Sequence, residues 1–136
     1  GKISPQAKKL LATAKRALER GIAVLHAGVR LGDLGNAIQL EIETDGFGVV
    51  RELVGHGVGR TLHEEPYVPN YGLPNKGWVL QEGQVIAIEP MATAGDPAIE
   101  LAEDGWTWKT KDSSLAAHFE HTVLIDKDGA EILTGA

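Results

Sequence analysis

The order of helical and strand patterns along this chain predicts an α+β fold, with two amino-terminal helices followed by an antiparallel sheet. Two observations predict it. Residues 1–46 have apolar residues at helical spacing, and the later residues form short apolar runs separated by turn residues. The length of 136 residues predicts a single domain over residues 1–136, and a hydrophobic content of 43% is enough for a packed core.

Two helices are expected before Gly46. Ser4 and Pro5 mark the start of the first, because serine caps a helix and proline suits its first turn. We expect this helix to end near Gly28, and its apolar stripe consists of Leu10, Leu11, Ala14, Leu18, Ile22 and Leu25. The second helix is predicted over residues 31–45, with Gly46 as its carboxy-terminal glycine.

The remaining residues predict strands around one long loop. A strand is expected over residues 49–54, and a loop rich in glycine, proline and asparagine is expected over residues 55–82. Residues 126–129 have the composition of a tight hairpin turn. The other strand candidates are residues 85–88, 106–109, 116–125 and 131–133.

Composition excludes several classes of function. Thirteen basic and 19 acidic residues leave a net charge of -6, which argues against a nucleic-acid partner. There are no cysteines, so thiolate metal sites and disulfides are excluded. No apolar run approaches the ~20 residues of a membrane span, and the first residues lack a secretion signal. We therefore expect a cytoplasmic protein without a membrane partner.

Two histidines, His56 and His63, lie in a glycine-rich segment after the first predicted strand. Glycine removes side-chain bulk, so the residues beside His56 permit close approach of main chain or ligand. The alternative is an ordinary glycine-rich loop with two solvated histidines, and spacing alone leaves both readings open.

Two carboxylates interrupt apolar strand patterns. Glu89 ends the apolar run at residues 85–88, and Glu120 lies between His118 and Thr122 in the predicted strand 116–125, on the same face by alternation. Alternatively, each carboxylate lies at a solvent-exposed strand end or on a solvent-exposed face of a strand. Together with His56, they form a possible ligand set of one imidazole and two carboxylates, which suits Mn, Fe, Co or Zn.

These residues lie in motifs that resemble those of type I methionine aminopeptidase. The matching segments are GHGVG at residues 55–59, LHEEP at 62–66, IAIEPM at 86–91 and AHFEHT at 117–122. The segments GWT at 105–107 and DSSL at 112–115 also match, and the likeness covers essentially the whole chain. Prolidase and aminopeptidase P share the first motif but have Glu-Asp in place of Glu120-His121.

The resemblance implies half of a pita-bread fold, the fold of the creatinase and aminopeptidase families, with two metal ions in the complete site. It implies that His56, Glu89 and Glu120 are metal ligands and that Glu89 also acts as a catalytic base. By the same resemblance, His63 is a catalytic residue that contacts the substrate, and Leu62 and Trp106 line the pocket for the methionine side chain. The implied reaction removes the N-terminal methionine of nascent proteins and peptides.

The chain matches only the carboxy-terminal half of that catalytic domain. The resemblance assigns two further aspartate ligands to the first half, and none of the aspartates in this chain matches them. We therefore expect an enzyme for the complete domain, and one metal ion or none in this chain alone. The expected partners are a separate amino-terminal half or a second copy of the chain. The alternative function is a catalytically incomplete pita-bread half that binds a partner or associates with itself.

Overall fold

The structure is a computed structural model that describes residues 3–60 and 64–134. In these residues two helices precede ten strands, and every strand pair is antiparallel, as the sequence predicts. The elements are α1 (Pro5–Ala23), α2 (Leu31–Thr44), β1 (Gly48–Val49), β2 (Gly55–Val58), β3 (Glu64–Val68), β4 (Val85–Ile88), β5 (Met91–Thr93), β6 (Ile99–Leu101), β7 (Trp108–Thr110), β8 (Ala116–His118), β9 (His121–Ile125) and β10 (Ala130–Ile132).

Helix α1 begins as predicted. Pro5 occupies its first turn, and the Ser4 hydroxyl accepts a hydrogen bond from the Ala7 amide at 3.1 Å. The helix ends at Ala23, earlier than the predicted end near Gly28. The chain turns away there because the Ala27 amide donates to the Asp126 carbonyl at 2.9 Å, in the turn that follows β9.

Helix α2 packs closely against α1 and builds one side of the core. Leu34, Ile38 and Ile42 are fully buried on its inner face, and such burial stabilises by about 1.5–3 kcal/mol per side chain. A β-carbon at Gly21 of α1 would lie 2.9 Å from atoms of both Leu34 and Ile38. This glycine therefore permits the close contact between the helices. Gly46 follows α2 with a φ of 85°, as expected for a carboxy-terminal glycine.

A polar contact joins the end of α2 to α1. The Asp45 carboxylate accepts hydrogen bonds from the Thr13 hydroxyl at 2.6 Å and from the Arg16 guanidinium at 2.5 Å. The hydrogen bond from Thr13 is the main cause of a lowered Asp45 pKa, and Arg16 adds to it. Neither described helix has the length and apolar character that a membrane span requires.

The strands form three sheets. The largest has the order β10-β9-β4-β2-β3, a second has the order β1-β5-β8, and β6 and β7 form a separate pair. The chain passes from the first sheet to the second between Ile88, the end of β4, and Met91, the start of β5. Glu89 therefore lies where two sheets meet.

Three strand predictions need correction. The predicted strand 49–54 is reduced to β1, and the following predicted loop contains β2 and β3. β2 reads as a loop because it is rich in glycine, yet Gly55 and Gly57 are needed for its close pairing. The predicted strand 116–125 is two strands, since β8 pairs with β5 in one sheet and β9 pairs with β4 in another. β5 and β6 were not predicted, and β7 and β10 lie near the predicted 106–109 and 131–133.

Candidate metal centre

His56 is held in the middle of the largest sheet. It lies on β2 opposite Ala87 of β4 and Tyr67 of β3, and it is only 8% exposed. A β-carbon at Gly55 would lie 2.0 Å from the Ala87 carbonyl oxygen, and one at Gly57 would lie 2.3 Å from a main-chain oxygen of β3. The glycines therefore allow neighbouring strands to approach closely, as the sequence predicts.

The hydrogen bonding of His56 identifies the nitrogen that faces the site. Nδ1 lies 2.9 Å from the Gly57 carbonyl oxygen, which can only accept a hydrogen bond. Nδ1 of a neutral ring is therefore the protonated nitrogen, and the lone pair is on Nε2. Orientation by a main-chain carbonyl is typical of metal-binding histidines.

Glu89 faces the same nitrogen from the end of β4. One of its carboxylate oxygens, Oε1, lies 3.8 Å from His56 Nε2, and its side chain is 24% exposed. This distance is too long for a direct hydrogen bond. It is shorter than the sum of a typical Zn–N and Zn–O bond, about 4.2 Å, so a single ion can contact both atoms.

Glu120 completes the group of predicted ligands. Its carboxylate is close enough to Glu89 for a side-chain hydrogen bond and a charge–charge repulsion. Burial is the largest cause that raises the pKa of Glu89, followed by Glu120, and together they raise it from 4.5 to about 8. Two carboxylates that share a proton in this way favour a positive ion between them.

Glu120 does not lie within the continuous strand that the alternation of residues 116–125 predicted. A continuous strand would place Glu120 on one face with His118 and Thr122. Instead, β8 ends at His118 and β9 begins at His121, so Glu120 lies in the break between two sheets. His118 is exposed at the end of β8, and Thr122 of β9 pairs with Ala87 of β4. The break separates Glu120 from the regular ladders and leaves it beside Glu89.

Three further residues were predicted to belong to the site. Leu62 and His63 lie outside the described residues. Trp106 is 79% exposed beside the β6–β7 pair, and its amide donates to Asp104 at 3.0 Å. A substrate pocket that includes Trp106 stays a prediction.

Two cavities lie near β3. The one that His56 lines has a volume of about 350 Å³, and Glu52, Glu64, Glu65 and Tyr67 are among its walls. A larger cavity of about 470 Å³ has mainly apolar walls and includes Tyr71, Leu73 and Trp78. His56 is in the walls of the smaller cavity, whereas Glu89 and Glu120 are in the walls of neither cavity. Sequence reasoning did not select these walls, although Glu64 and Glu65 belong to the LHEEP motif.

The donor set suits a divalent metal ion but is incomplete. His56 Nε2 and the carboxylates of Glu89 and Glu120 are the nitrogen and oxygen ligands that Mn, Fe, Co and Zn accept. Within residues 3–60 and 64–134, however, no three such side chains are close enough to form a metal site by themselves. These residues therefore fit part of a ligand set, in which Glu89 is close to both His56 and Glu120.

Sequence reasoning also missed Asn70. This residue follows β3, is 0% exposed, and donates a hydrogen bond from Nδ2 to the Glu89 carbonyl oxygen at 3.1 Å. The only sequence signal was its place in a segment rich in proline and glycine, which is more typical of an exposed turn.

The class of protein follows from the fold and this ligand set together with comparison to known families. Residues 1–127 match the model of metallopeptidase family M24, and the chain belongs to that family. The α+β architecture, with helices before antiparallel sheets, is half of the pita-bread fold of these enzymes, as the sequence predicts.

The most similar relatives include methionine aminopeptidases. The chain is 51% identical over 125 residues to the methionine aminopeptidase of Mycoplasma capricolum, covering 92% of this chain and 50% of the relative. It is 48% identical to methionine aminopeptidase 1 of Bacillus subtilis, covering 98% and 54%. The crystal structure of the Thermotoga maritima methionine aminopeptidase superposes with a TM-score of 0.97 at 49% identity, covering 100% and 55%. The chain thus spans about half the length of these relatives.

Proposed function

We propose that this chain supplies His56, Glu89 and Glu120 to the dinuclear metal site of a methionine aminopeptidase. The reaction is hydrolytic removal of the N-terminal methionine from nascent proteins and peptides in the cytoplasm. The observation that carries the proposal is the meeting of His56 Nε2 and Glu89 at 3.8 Å, with Glu120 beside Glu89. The family match and the methionine aminopeptidase relatives support it.

The metal ions supply a specific chemistry when bound: they lower the pKa of water and polarise the carbonyl of the scissile peptide bond. His56 binds through Nε2 because its Nδ1 donates to the Gly57 carbonyl. By the resemblance, the carboxylates of Glu120 and Glu89 would hold the ions, with Glu120 as the ligand that both ions share and Glu89 as a ligand of one. Mn, Fe, Co and Zn all suit these ligands.

Glu89 has a second role as the group that moves the proton. In the metal-free chain, burial and Glu120 raise the pKa of Glu89 to about 8, whereas a bound cation would lower it and leave the group as a carboxylate. A group of this kind can accept a proton from the attacking water and deliver it to the leaving amine. We assign His63 to contact with the substrate near the scissile peptide bond, at its developing oxyanion or its amide nitrogen, and Leu62 and Trp106 to the walls around the methionine side chain.

The proposal includes a partner for the site. Because no three potential ligands among the described residues are close enough to hold an ion, other ligands are required for tight binding. A separate amino-terminal half or a second copy of the chain can provide them. A second copy is consistent with the frequency of two-fold homodimers among oligomers.

The incomplete ligand set also favours a second function for the chain alone. In this alternative it is a catalytically incomplete half that binds a peptide or associates with itself. Light scattering tests self-association, because a chain that stays monomeric at high concentration does not associate with itself.

Methionine release from a Met-Ala-Ser peptide is the direct test. The purified 136-residue chain, with Mn²⁺ or Co²⁺ added, is compared with Glu89→Ala and with Glu82→Ala, which removes an exposed carboxylate near the other end of β4. Release by the wild-type chain and Glu82→Ala, but not by Glu89→Ala, supports an active site completed within the chain or its oligomer. Equal release by all three indicates a contaminating enzyme. No release by any of them favours the incomplete half.

A further inference from the structure

The main chain at Glu89 lies outside the strand pairings on either side of it. The pairing of β4 with β2 ends at Ala87, and its pairing with β9 ends at Ile88. The next strand, β5, begins only at Met91 and belongs to a different sheet. Glu89 is followed by Pro90, which has no N–H to donate to a ladder. The ladders therefore do not determine the direction of the main chain at this residue.

Asn70 provides the missing contact. Its Nδ2 donates to the Glu89 carbonyl oxygen at 3.1 Å across 19 residues of sequence. Asn70 lies two residues after Val68, which pairs with Gly55 next to His56. One side chain thus connects the strand beside His56 to the main chain of Glu89.

The burial of Asn70 makes this contact unusual. The residue is 0% exposed, and within the described part of the chain its Oδ1 has no hydrogen-bond partner. A buried amide that is only half satisfied costs on the order of 1–3 kcal/mol. A leucine has a similar shape without that cost, so packing alone does not account for an asparagine here.

We propose that Asn70 is a positioning residue for the metal site, acting through the main chain of Glu89. Its amide fixes the carbonyl of Glu89 and so holds the carboxylate in the direction of His56 Nε2 and Glu120. The main chain beside the two carboxylates is also bonded: the amide of Phe119, which precedes Glu120, donates to the carbonyl of Pro90, which follows Glu89, at 3.3 Å. The inference rests on the proposed metal site.

The test measures binding of MnCl₂ and CoCl₂ to the full chain by calorimetry, together with the visible absorption spectrum of bound Co²⁺. Asn70→Ala removes the donor, and Asn70→Leu removes it while keeping the shape. Asn36→Ala is the matched control, because Asn36 Nδ2 also donates to a main-chain carbonyl at 3.2 Å, but to that of Gly72, two residues after Asn70, rather than to that of Glu89. Cooperative thermal unfolding establishes that each variant is folded, and Asn70→Leu decides the question where Asn70→Ala does not fold.

We expect both Asn70 variants to weaken Co²⁺ binding by about tenfold or more and to change the Co²⁺ spectrum, since removal of a group that orients a ligand has effects of that size. Asn36→Ala retains the wild-type affinity and spectrum. Wild-type affinity and spectrum in a folded Asn70 variant overturn the positioning role. A Glu89→Ala arm separates the two proposals: if it binds Co²⁺ as the wild-type chain does, the metal site itself is wrong and the inference fails with it. If neither chain binds Co²⁺, the positioning role is overturned for the chain alone, whereas the proposed function, which takes further ligands from a partner, stands.

Discussion

Replacement of Gly55 by alanine is a direct test of the strand packing that holds His56. The added β-carbon would lie 2.0 Å from the Ala87 carbonyl oxygen and 3.2 Å from Val68 Cβ. Ordinary contact begins near 3.4 Å, so β2 must move away from β4 by about 1.4 Å. Val68 on β3 blocks that movement, because β2 lies between β4 and β3 in the sheet.

The expected cost is large for a single methyl group. Overpacking in a well-packed core costs about 1–3 kcal/mol, and displacement of a central strand weakens its ladder as well. We therefore expect Gly55→Ala to lose about 2–4 kcal/mol of unfolding free energy. This loss corresponds to a melting temperature lower by about 6–14 °C in a domain of this size.

Gly129→Ala is the control. Its added β-carbon meets nothing within 4 Å, and its backbone is outside the left-handed region. Without a clash, alanine stabilises by about 0.4–1 kcal/mol by restricting the unfolded chain. Urea unfolding followed by circular dichroism measures the unfolding free energy of both variants. It should decrease for Gly55→Ala and increase for Gly129→Ala. A Gly55→Ala chain within about 0.5 kcal/mol of the wild type would refute the packing argument.

Three further predictions concern the site and the helices. The raised pKa of Glu89 means that the folded chain retains a proton that the unfolded chain releases between pH 4.5 and about 8, so stability should fall as pH rises through this range. Glu89→Gln should remove this dependence in metal-free urea titrations, and an unchanged slope would contradict it. Asp45 has a lowered pKa, so its stabilising contribution is present above pH 3.8 and is lost below it. Thr13→Val should raise the Asp45 pKa in a carboxyl NMR titration, whereas no change would exclude Thr13 as the main cause. Leu34→Ala should cost about 2–5 kcal/mol in urea unfolding, and a loss under 1 kcal/mol would show that α2 repacks.

Local patterns predicted the helices well. The start of α1 depends on Ser4 and Pro5, and the end of α2 depends on Gly46, all of which act within a few residues. The premature end of α1 could not be predicted in the same way. It depends on a hydrogen bond from Ala27 to Asp126, a residue about a hundred positions away.

Some features of the strands also have a local sequence signal, and others depend on distant segments. The apolar run of β4 identified a buried strand, because consecutive residues point to opposite faces of the sheet and Ile86, Ala87 and Ile88 are all buried. The break at Glu120 has no local signal, since residues on both sides of it have extended, partly apolar sequences. It arises because β8 and β9 pair with strands of different sheets.

The sequence by itself determined which candidate ligands are available, because the chemistry of an imidazole and two carboxylates belongs to the residues His56, Glu89 and Glu120. It also determined the family, because the motifs around them are contiguous. Only the tertiary structure decided which of these side chains meet and what holds them there. Glu89 reaches His56 at 3.8 Å from a strand end that no ladder holds, and the contact that orients it comes from Asn70, a buried side chain on a separate strand connection. Such contacts depend on the packing of distant segments, which local sequence patterns do not encode.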